Sequence, residues 1–108
     1  MIEERNIEMT VIGTVINTPS TYNDVGKYIL DNSVWHDARC RRLWNLISGM
    51  IKRREHVDTI TIAASLEAED AMLGVDNVYI IDCVENRGLD TAVEVYAKRC
   101  MKSIYLDL

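Results

Sequence analysis

A chain of 108 residues is long enough for one domain with a single modest hydrophobic core. Hydrophobic residues make up 48% of the chain and the net charge is −5, which excludes a disordered acidic segment. No apolar run approaches the roughly 18 residues of a membrane span, and the charged opening MIEERNIEM is not typical of a secretory leader.

The first predicted helix covers the segment IEMTVIGTVI. Its apolar residues recur at helical spacing and form one stripe, made of Met9, Ile12, Val15 and Ile16. Thr18 and Pro19 then suit the cap and first turn of a second helix, which should end at about Asp31. The apolar positions of this second helix are Tyr22, Val25 and Ile29.

The third predicted helix begins after Asp37, whose side chain can cap it. Its apolar stripe is made of Cys40, Leu43, Trp44, Ile47 and Ile51. The same region carries a charge of +6, against −11 for the rest of the chain, through Arg39, Arg41, Arg42, Lys52, Arg53 and Arg54. This cluster is either a solvated helix face with cations near the negative end of the helix dipole, or an electrostatic patch for nucleic acid or an acidic partner.

The stretch HVDTITIAASLEAED, residues 56 to 70, fits both a strand and a helix. Its first half is β-branched and its apolar residues alternate, which favours a strand. However, an isolated strand among helices would leave its backbone groups without partners. We therefore predict a helix from about Asp58 to Glu69, capped by Asp58 or Thr59, with the Thr61 hydroxyl satisfying a backbone group of the first turn. The positions expected to face the core are Val57 before the helix and Ile62, Ala63 and Leu66 within it.

Two further helices are predicted towards the end of the chain. Asp76 can cap one whose inward face carries Tyr79, Ile80, Cys83 and Val84. Asp90 precedes a last helix with an apolar stripe of Val93, Tyr96, Ala97, Cys100 and Ile104. The chain is therefore expected to be an all-α, compact bundle of about six helices forming one domain over residues 1–108.

The residues give no support for an enzyme site. The chain contains neither GxxxxGK[ST] nor GxGxxG, and no nucleophile elbow. His36 and Cys40 are four residues apart, but two ligands do not make a zinc site, so we expect packing roles for both. The three cysteines are far apart and form no CxxC, which favours reduced, buried thiols. We expect neither catalytic nor metal-binding nor cofactor-binding residues in this chain.

Five segments, taken in order, resemble the N-terminal domain of the DnaB-type replicative DNA helicases of bacteria and phages. VIGTVI (11–16) is similar to V-L-G-x-[IL]-[LM], and WHDARCRRLW (35–44) to F-Y-x-x-x-H-[RQ]-x-I-F. HVDTITIAASLE (56–67) is similar to P-[IV]-D-x-[IV]-T-[ILV]-x-x-x-L, VYIIDCV (78–84) to Y-L-x-x-L, and VYAKRC (95–100) to Y-A-x-x-V. The chain departs from the family pattern at Cys40 in place of His, at His56 in place of Pro, and at Val75-Asp76 in place of Gly-Gly.

The resemblance implies an all-α head that pairs through helical hairpins into dimers and forms a collar on a hexameric ATPase ring. It implies primase and a helicase loader as partners, in the cytoplasm of a bacterial cell or phage-infected host. Contact with DNA, ATP and Mg²⁺ would belong to a motor domain outside these residues, and the last helix would continue into the hairpin. Tyr79 matches the tyrosine in the family region associated with primase, so Tyr79 and Asp82 are candidate partner contacts, although apolar neighbours could equally bury Tyr79 in the core.

Two other classes of function fit the sequence. One is a stand-alone phage factor of the same fold that binds a host helicase, loader or primase. The other is a small DNA-binding regulator that uses the cations between Arg39 and Arg54, although the −11 of the remaining chain argues against it.

Overall fold

The computed structural model describes residues 4–29 and 31–106, and the side chains of residues 7–29 and 31–101. Within these residues the chain forms seven α-helices, three short 3-10 turns and no β-strand, which confirms the all-α prediction. The α-helices are α1 (Glu4–Asn17), α2 (Tyr22–Gly26), α3 (Ala38–Lys52), α4 (Thr59–Ala64), α5 (Ala68–Leu73), α6 (Asn77–Glu85) and α7 (Val93–Leu106). The 3-10 turns are Pro19–Thr21, Asn32–Val34 and Asp90–Ala92.

Helix α1 lies at the centre of the fold and packs against α3, α6 and α7. Its predicted stripe is buried at Ile12, Val15 and Ile16, while Met9 is half-buried. Gly13 sets the distance between α1 and α6, because a Cβ there would lie 1.8 Å from the carbonyl oxygen of Cys83. The absence of a side chain at this position therefore lets the two helix backbones touch.

Helix α3 begins as predicted, since the Asp37 side chain accepts a hydrogen bond from the Arg39 backbone N–H at 2.8 Å. Its buried residues are Cys40, Leu43, Trp44, Ile47 and Met50. The last predicted position, Ile51, is only half-buried, because Met50 completes the inward face one residue earlier. The ring of Trp44 stacks on Tyr22 with the ring centroids 4.8 Å apart, which joins α2 to α3.

The predicted helix from Asp58 to Glu69 forms only in part. Its start is as expected, with Asp58 accepting from the Thr61 N–H at 2.8 Å and the Thr61 hydroxyl accepting from the Asp58 N–H at 2.9 Å. Val57 and Ile62 are buried, whereas Ala63 and Leu66 are half-buried. The helix ends at Ala64, so the predicted extent is wrong.

A new helix, α5, begins after Glu67 because a second cap competes with continuation of α4. The Asp70 carboxylate accepts the Glu67 backbone N–H at 2.9 Å, and Arg42 of α3 holds the same carboxylate in place. Gly74, in the left-handed conformation with φ of 95°, then ends α5. This break explains why seven helices form where about six are predicted.

The predicted cap Thr18 binds Asp90 instead of a helix end. The Thr18 hydroxyl makes no cap hydrogen bond and donates to Asp90 Oδ1 at 2.9 Å, which joins the start of the second helical segment to the start of α7. The second helix also ends early, at Gly26, and Asp31 caps the following 3-10 turn by accepting from the Ser33 N–H at 2.7 Å. Ile104, predicted on the last stripe, lies outside the described side chains.

Candidate partner-docking surface

Helix α6 is the element on which the candidate partner contacts lie. Asp76 caps it, as predicted, by accepting from the Tyr79 N–H at 2.9 Å. One face of α6 is buried in the core and carries Tyr79, Ile80 and Cys83. The opposite face is exposed and carries Val78, Ile81, Asp82 and Glu85. One helix therefore fastens itself to the core with one face and offers an apolar and acidic face to solvent.

Tyr79 lies in the core. Its side chain is 5% exposed, its hydroxyl lies 3.1 Å from Cys40 Sγ, and the Arg39 guanidinium carbon lies 4.2 Å from its ring centroid. Burial, followed by the nearby Cys40 thiol, raises the pKa of the Tyr79 hydroxyl. Tyr79 thus joins α6 to α3, and its role as a partner contact stays a prediction, as does that of Asp82, which is exposed.

The outer surface of α4, α5 and α6 carries an unusual share of exposed apolar side chains. The large hydrophobic side chains exposed among the described residues are Ile60, Met72, Leu73, Val78, Ile81, Leu89 and Val95. Five of these seven come from the segment between residues 60 and 81, and Ile60 and Val78 are 77% and 67% exposed. Since single exposed apolar residues are ordinary but clustered ones mark interaction sites, this concentration points to docking.

Two shallow grooves lie on this surface and meet at Asn77. The first, of about 280 Å³, lies between α4 and α6 and is lined by Thr59, Ile60, Ala63, Asn77, Ile80 and Ile81. The second, of about 290 Å³, lies between α5 and α6, with Leu66, Ala71, Asn77 and Val78 among its lining residues. We call the surface formed by these two grooves the α4–α6 face. On it Ile60, Ala71, Val78 and Ile81 are exposed to solvent, and Ala63 is half-buried.

The six cations of the third segment do not lie together. Arg39, Arg41 and Arg42 lie in the first turn or so of α3, and Lys52, Arg53 and Arg54 lie at its other end, roughly 20 Å away at about 1.5 Å per residue. Three of them have acidic partners: Arg39 binds Asp37, Arg42 binds Asp70, and Arg53 binds Glu55. Arg41 donates to the Trp35 carbonyl at 2.8 Å. Four of the six cations therefore bind groups within the fold.

The ion pair between Arg42 and Asp70 was not predicted from the sequence. Arg42 Nε lies 2.6 Å from Asp70 Oδ1 and Arg42 Nη2 lies 3.2 Å from Oδ2. Arg42, and then the Glu67 backbone N–H, lower the pKa of the Asp70 carboxyl. Because the partners are 28 residues apart in the chain, only the fold brings them together.

Glu8 is a second buried acid that periodicity does not reveal. Its side chain is 2% exposed, and one carboxylate oxygen accepts the Asp37 backbone N–H at 3.1 Å. The other oxygen lies 3.5 Å from His36 Nδ1. Burial raises the pKa of Glu8, although the backbone N–H groups of Asp37 and His36 oppose the shift. Glu8 therefore holds the entry to α3 against α1.

The described residues contain no group of three or more His, Cys, Asp or Glu side chains placed to hold a metal ion. His36 faces Glu8, whereas Cys40 is buried against Tyr79, so the two residues with ligand-like spacing make separate contacts. All three cysteines are buried free thiols, as predicted. Across the part of the chain that is described, none of the helices has the length and apolar character needed to cross a membrane.

The family model described as the DnaB-like helicase N terminal domain matches residues 2–101, so the chain belongs to this family. The fold matches the crystal structure of the N-terminal domain of DnaB helicase from Mycobacterium tuberculosis with a TM-score of 0.84 and 18% sequence identity. That match covers 94% of this chain and 73% of the other. No curated protein matches the sequence. The predicted family and the predicted fold are both confirmed.

Proposed function

We propose that this chain is the N-terminal assembly and partner-docking domain of a hexameric replicative DNA helicase. In this role it supports assembly of the ring and binds primase and a helicase loader during DNA replication. The observation that carries the proposal is the family match over residues 2–101, which covers α1 to α6 in full and α7 as far as Met101.

The side chains of the domain support a binding role. The buried titratable groups hold helices together: Glu8 fixes the entry to α3, Asp70 fixes α3 to α5, and Tyr79 fixes α6 to α3. The α4–α6 face, by contrast, presents apolar side chains to solvent, as a docking surface does. ATP and Mg²⁺ would then act in a motor domain, because the 108 residues contain no GxxxxGK[ST] loop.

Reading the gene beyond the codon for Leu108 tests the proposal. A linker followed by a GxxxxGK[ST] motif is expected, because the proposed ring needs a motor that binds nucleotide. A stop codon at that point would instead support a stand-alone factor that binds a host helicase, loader or primase.

An ATPase assay of the purified chain provides a second test. We expect no hydrolysis above the buffer background, with or without DNA. Hydrolysis that grows with protein concentration and persists through repurification would overturn the assignment of a docking domain.

A further inference from the structure

We propose that the α4–α6 face binds a cationic amphipathic helix of a partner protein. The inference rests on the proposed function, since it gives the docking domain a specific surface and its partner a specific chemistry.

The apolar part of the face has the form of a helix-binding groove. Ile60 and Ala63 lie one turn apart on α4, and Val78 and Ile81 lie one turn apart on α6. The groove between α4 and α6 has a floor of Ile80 and an open top, so the apolar stripe of a third helix can enter it. When a helix binds in such a groove, its apolar residues at positions i, i+3, i+4 and i+7 make the contacts.

The segment that forms the face carries charge of one sign. Residues 55–86, which form α4, α5 and α6, contain eight Asp or Glu and no Lys or Arg, so the rest of the chain carries +3. Two of the eight are paired with arginines of α3 and the turn after it, namely Glu55 with Arg53 and Asp70 with Arg42. Asp58 lies 3.1 Å from His56 Nε2. The five other described carboxylates of this segment form no ion pair with Lys or Arg, and these are Glu67, Glu69, Asp76, Asp82 and Glu85.

The apolar groove and the acidic charge together indicate which kind of partner fits the face. A partner helix with an apolar stripe flanked by lysines or arginines would bury Ile60, Val78 and Ile81 while its cations reach the acidic rim. Nucleic acid fits poorly, because its phosphates would meet carboxylates. A symmetric contact between two copies also fits poorly, since it would bring one acidic face against another.

The test uses a synthetic helix of leucine and lysine of about 14 residues, or four turns, with its leucines on one side. A matched peptide with glutamate in place of lysine is the control. We expect the lysine peptide to bind the full chain in a fluorescence anisotropy titration at physiological salt, and the glutamate peptide not to bind.

Variants locate the binding site. Ile60→Asp should weaken binding of the lysine peptide by at least about tenfold, equivalent to 1.4 kcal/mol, even though the added carboxylate should by itself attract the peptide. Leu89→Asp is the matched control, because Leu89 is 70% exposed, close to the 77% of Ile60, and lies away from the grooves. It should leave binding unchanged or slightly tighter. If Ile60→Asp fails a thermal-unfolding check of the fold, Val78→Asp takes its place.

A second pair of variants tests the charge. Asp82→Asn and Leu89→Lys each raise the net charge by one, but only Asp82 lies beside the apolar residues of α6. Asp82→Asn should weaken binding by about two- to threefold, which is the effect of one partly screened charge pair, and Leu89→Lys should weaken it less.

Three results would overturn the inference. The first is no binding of the lysine peptide, and the second is equal weakening by Ile60→Asp and Leu89→Asp. The third is a wild-type dimer in sedimentation that dissociates in Ile60→Asp, which would make the face a contact between copies.

A parallel titration with the primase and loader of the same genome separates the inference from the proposed function. If these proteins bind and the peptide does not, only the inference fails. If nothing binds, the docking role fails as well.

Discussion

Asp70 shows how single polar side chains decide the local fold. Its carboxylate caps the start of α5 and binds Arg42 of α3, so one residue ends the run of α4 and fixes the next helix to the core. Asp58 does similar work at the start of α4, through the reciprocal pair of bonds with Thr61. Both interactions need an ionised or well-placed carboxylate, and both can be tested by substitution.

Arg42→Met should destabilise the domain at pH 7 by about 1 to 2 kcal/mol, because it leaves the buried Asp70 carboxylate with only its backbone partner. The pKa of Asp70 is lowered in the folded state, so its stabilisation is complete above the unfolded value of about 3.8 and is lost as the pH falls through the folded value. Urea unfolding of the wild type and the variant should therefore show a gap that narrows below about pH 4.

The control for this prediction is Arg53→Met, which removes an exposed ion pair with Glu55 and should change stability little at any pH. A gap between Arg42→Met and the wild type that stays constant down to pH 3 would show that the pair with Asp70 does not stabilise the fold.

Asp58→Ala should lower the midpoint of thermal unfolding by about 5 °C, the usual effect of losing a helix cap in a domain of this size. Asp58→Asn should restore most of the loss, because an amide oxygen can accept the Thr61 N–H in the same geometry. Differential scanning calorimetry measures both. Equal midpoints for the wild type and Asp58→Ala would place the cap of α4 elsewhere.

At the scale of helices, the close crossing of α1 and α6 organises the fold. Gly13 is the contact point, and α6 carries both the buried Tyr79 and the outer side chains of the α4–α6 face. The position of the candidate docking surface therefore depends on the distance between these two helix backbones.

Gly13→Ala should destabilise the domain by more than about 2 kcal/mol, because the new methyl group would collide with the backbone of α6 and not with a flexible side chain. Gly26→Ala is the matched control, since a Cβ there meets nothing within 4 Å. It should be neutral or stabilising by up to about 1 kcal/mol. Urea unfolding compares the two, and a Gly13→Ala variant as stable as Gly26→Ala would show that the crossing of α1 and α6 does not require the glycine.

Periodicity predicts the long helices of this fold and fails at short ones. The stripe of α3 and the caps Asp37, Asp58 and Asp76 are evident in the sequence because each depends on neighbours in the chain. The break between α4 and α5 is not, because it depends on Arg42 reaching Asp70 from another helix. The same holds for Thr18, which resembles a cap in the sequence but donates to Asp90, 72 residues further along the chain.

The candidate site, like the fold, could be predicted from the sequence only in part. The likeness to the helicase family draws attention to α6, but it singles out Tyr79, which the core uses. The spacing of Val78 and Ile81 marks them only as lying off the inward stripe, and nothing in their identity shows that they are exposed. The exposure of Ile60 is even harder to predict, because the alternating pattern of apolar residues groups Ile60 with Ile62, which is buried. Exposure of apolar residues is decided by which helices cover each other.

For the molecule as a whole, the proposed role limits the assembly state of the isolated chain. The resemblance to the family implies pairing of such domains through helical hairpins. We therefore expect a monomer or a weak dimer in sedimentation velocity, with the fraction of dimer rising with concentration. A stable hexamer of this chain alone would contradict this expectation.

Binding to DNA provides a further test at this scale. The α3 cations are split into two groups and partly paired, so we expect no more than weak binding to duplex or single-stranded DNA. An affinity that is tight at low salt and falls steeply as salt is added would revive the interpretation as a DNA-binding regulator.

The most direct test of the docking role is a calorimetric titration of this chain with the primase and the helicase loader encoded by the same genome. We expect saturable binding of at least one of them, lost or strongly weakened in Ile60→Asp and retained in Leu89→Asp. No heat of binding with either protein, from a chain whose fold is verified by circular dichroism, would contradict the assignment as a partner-docking domain.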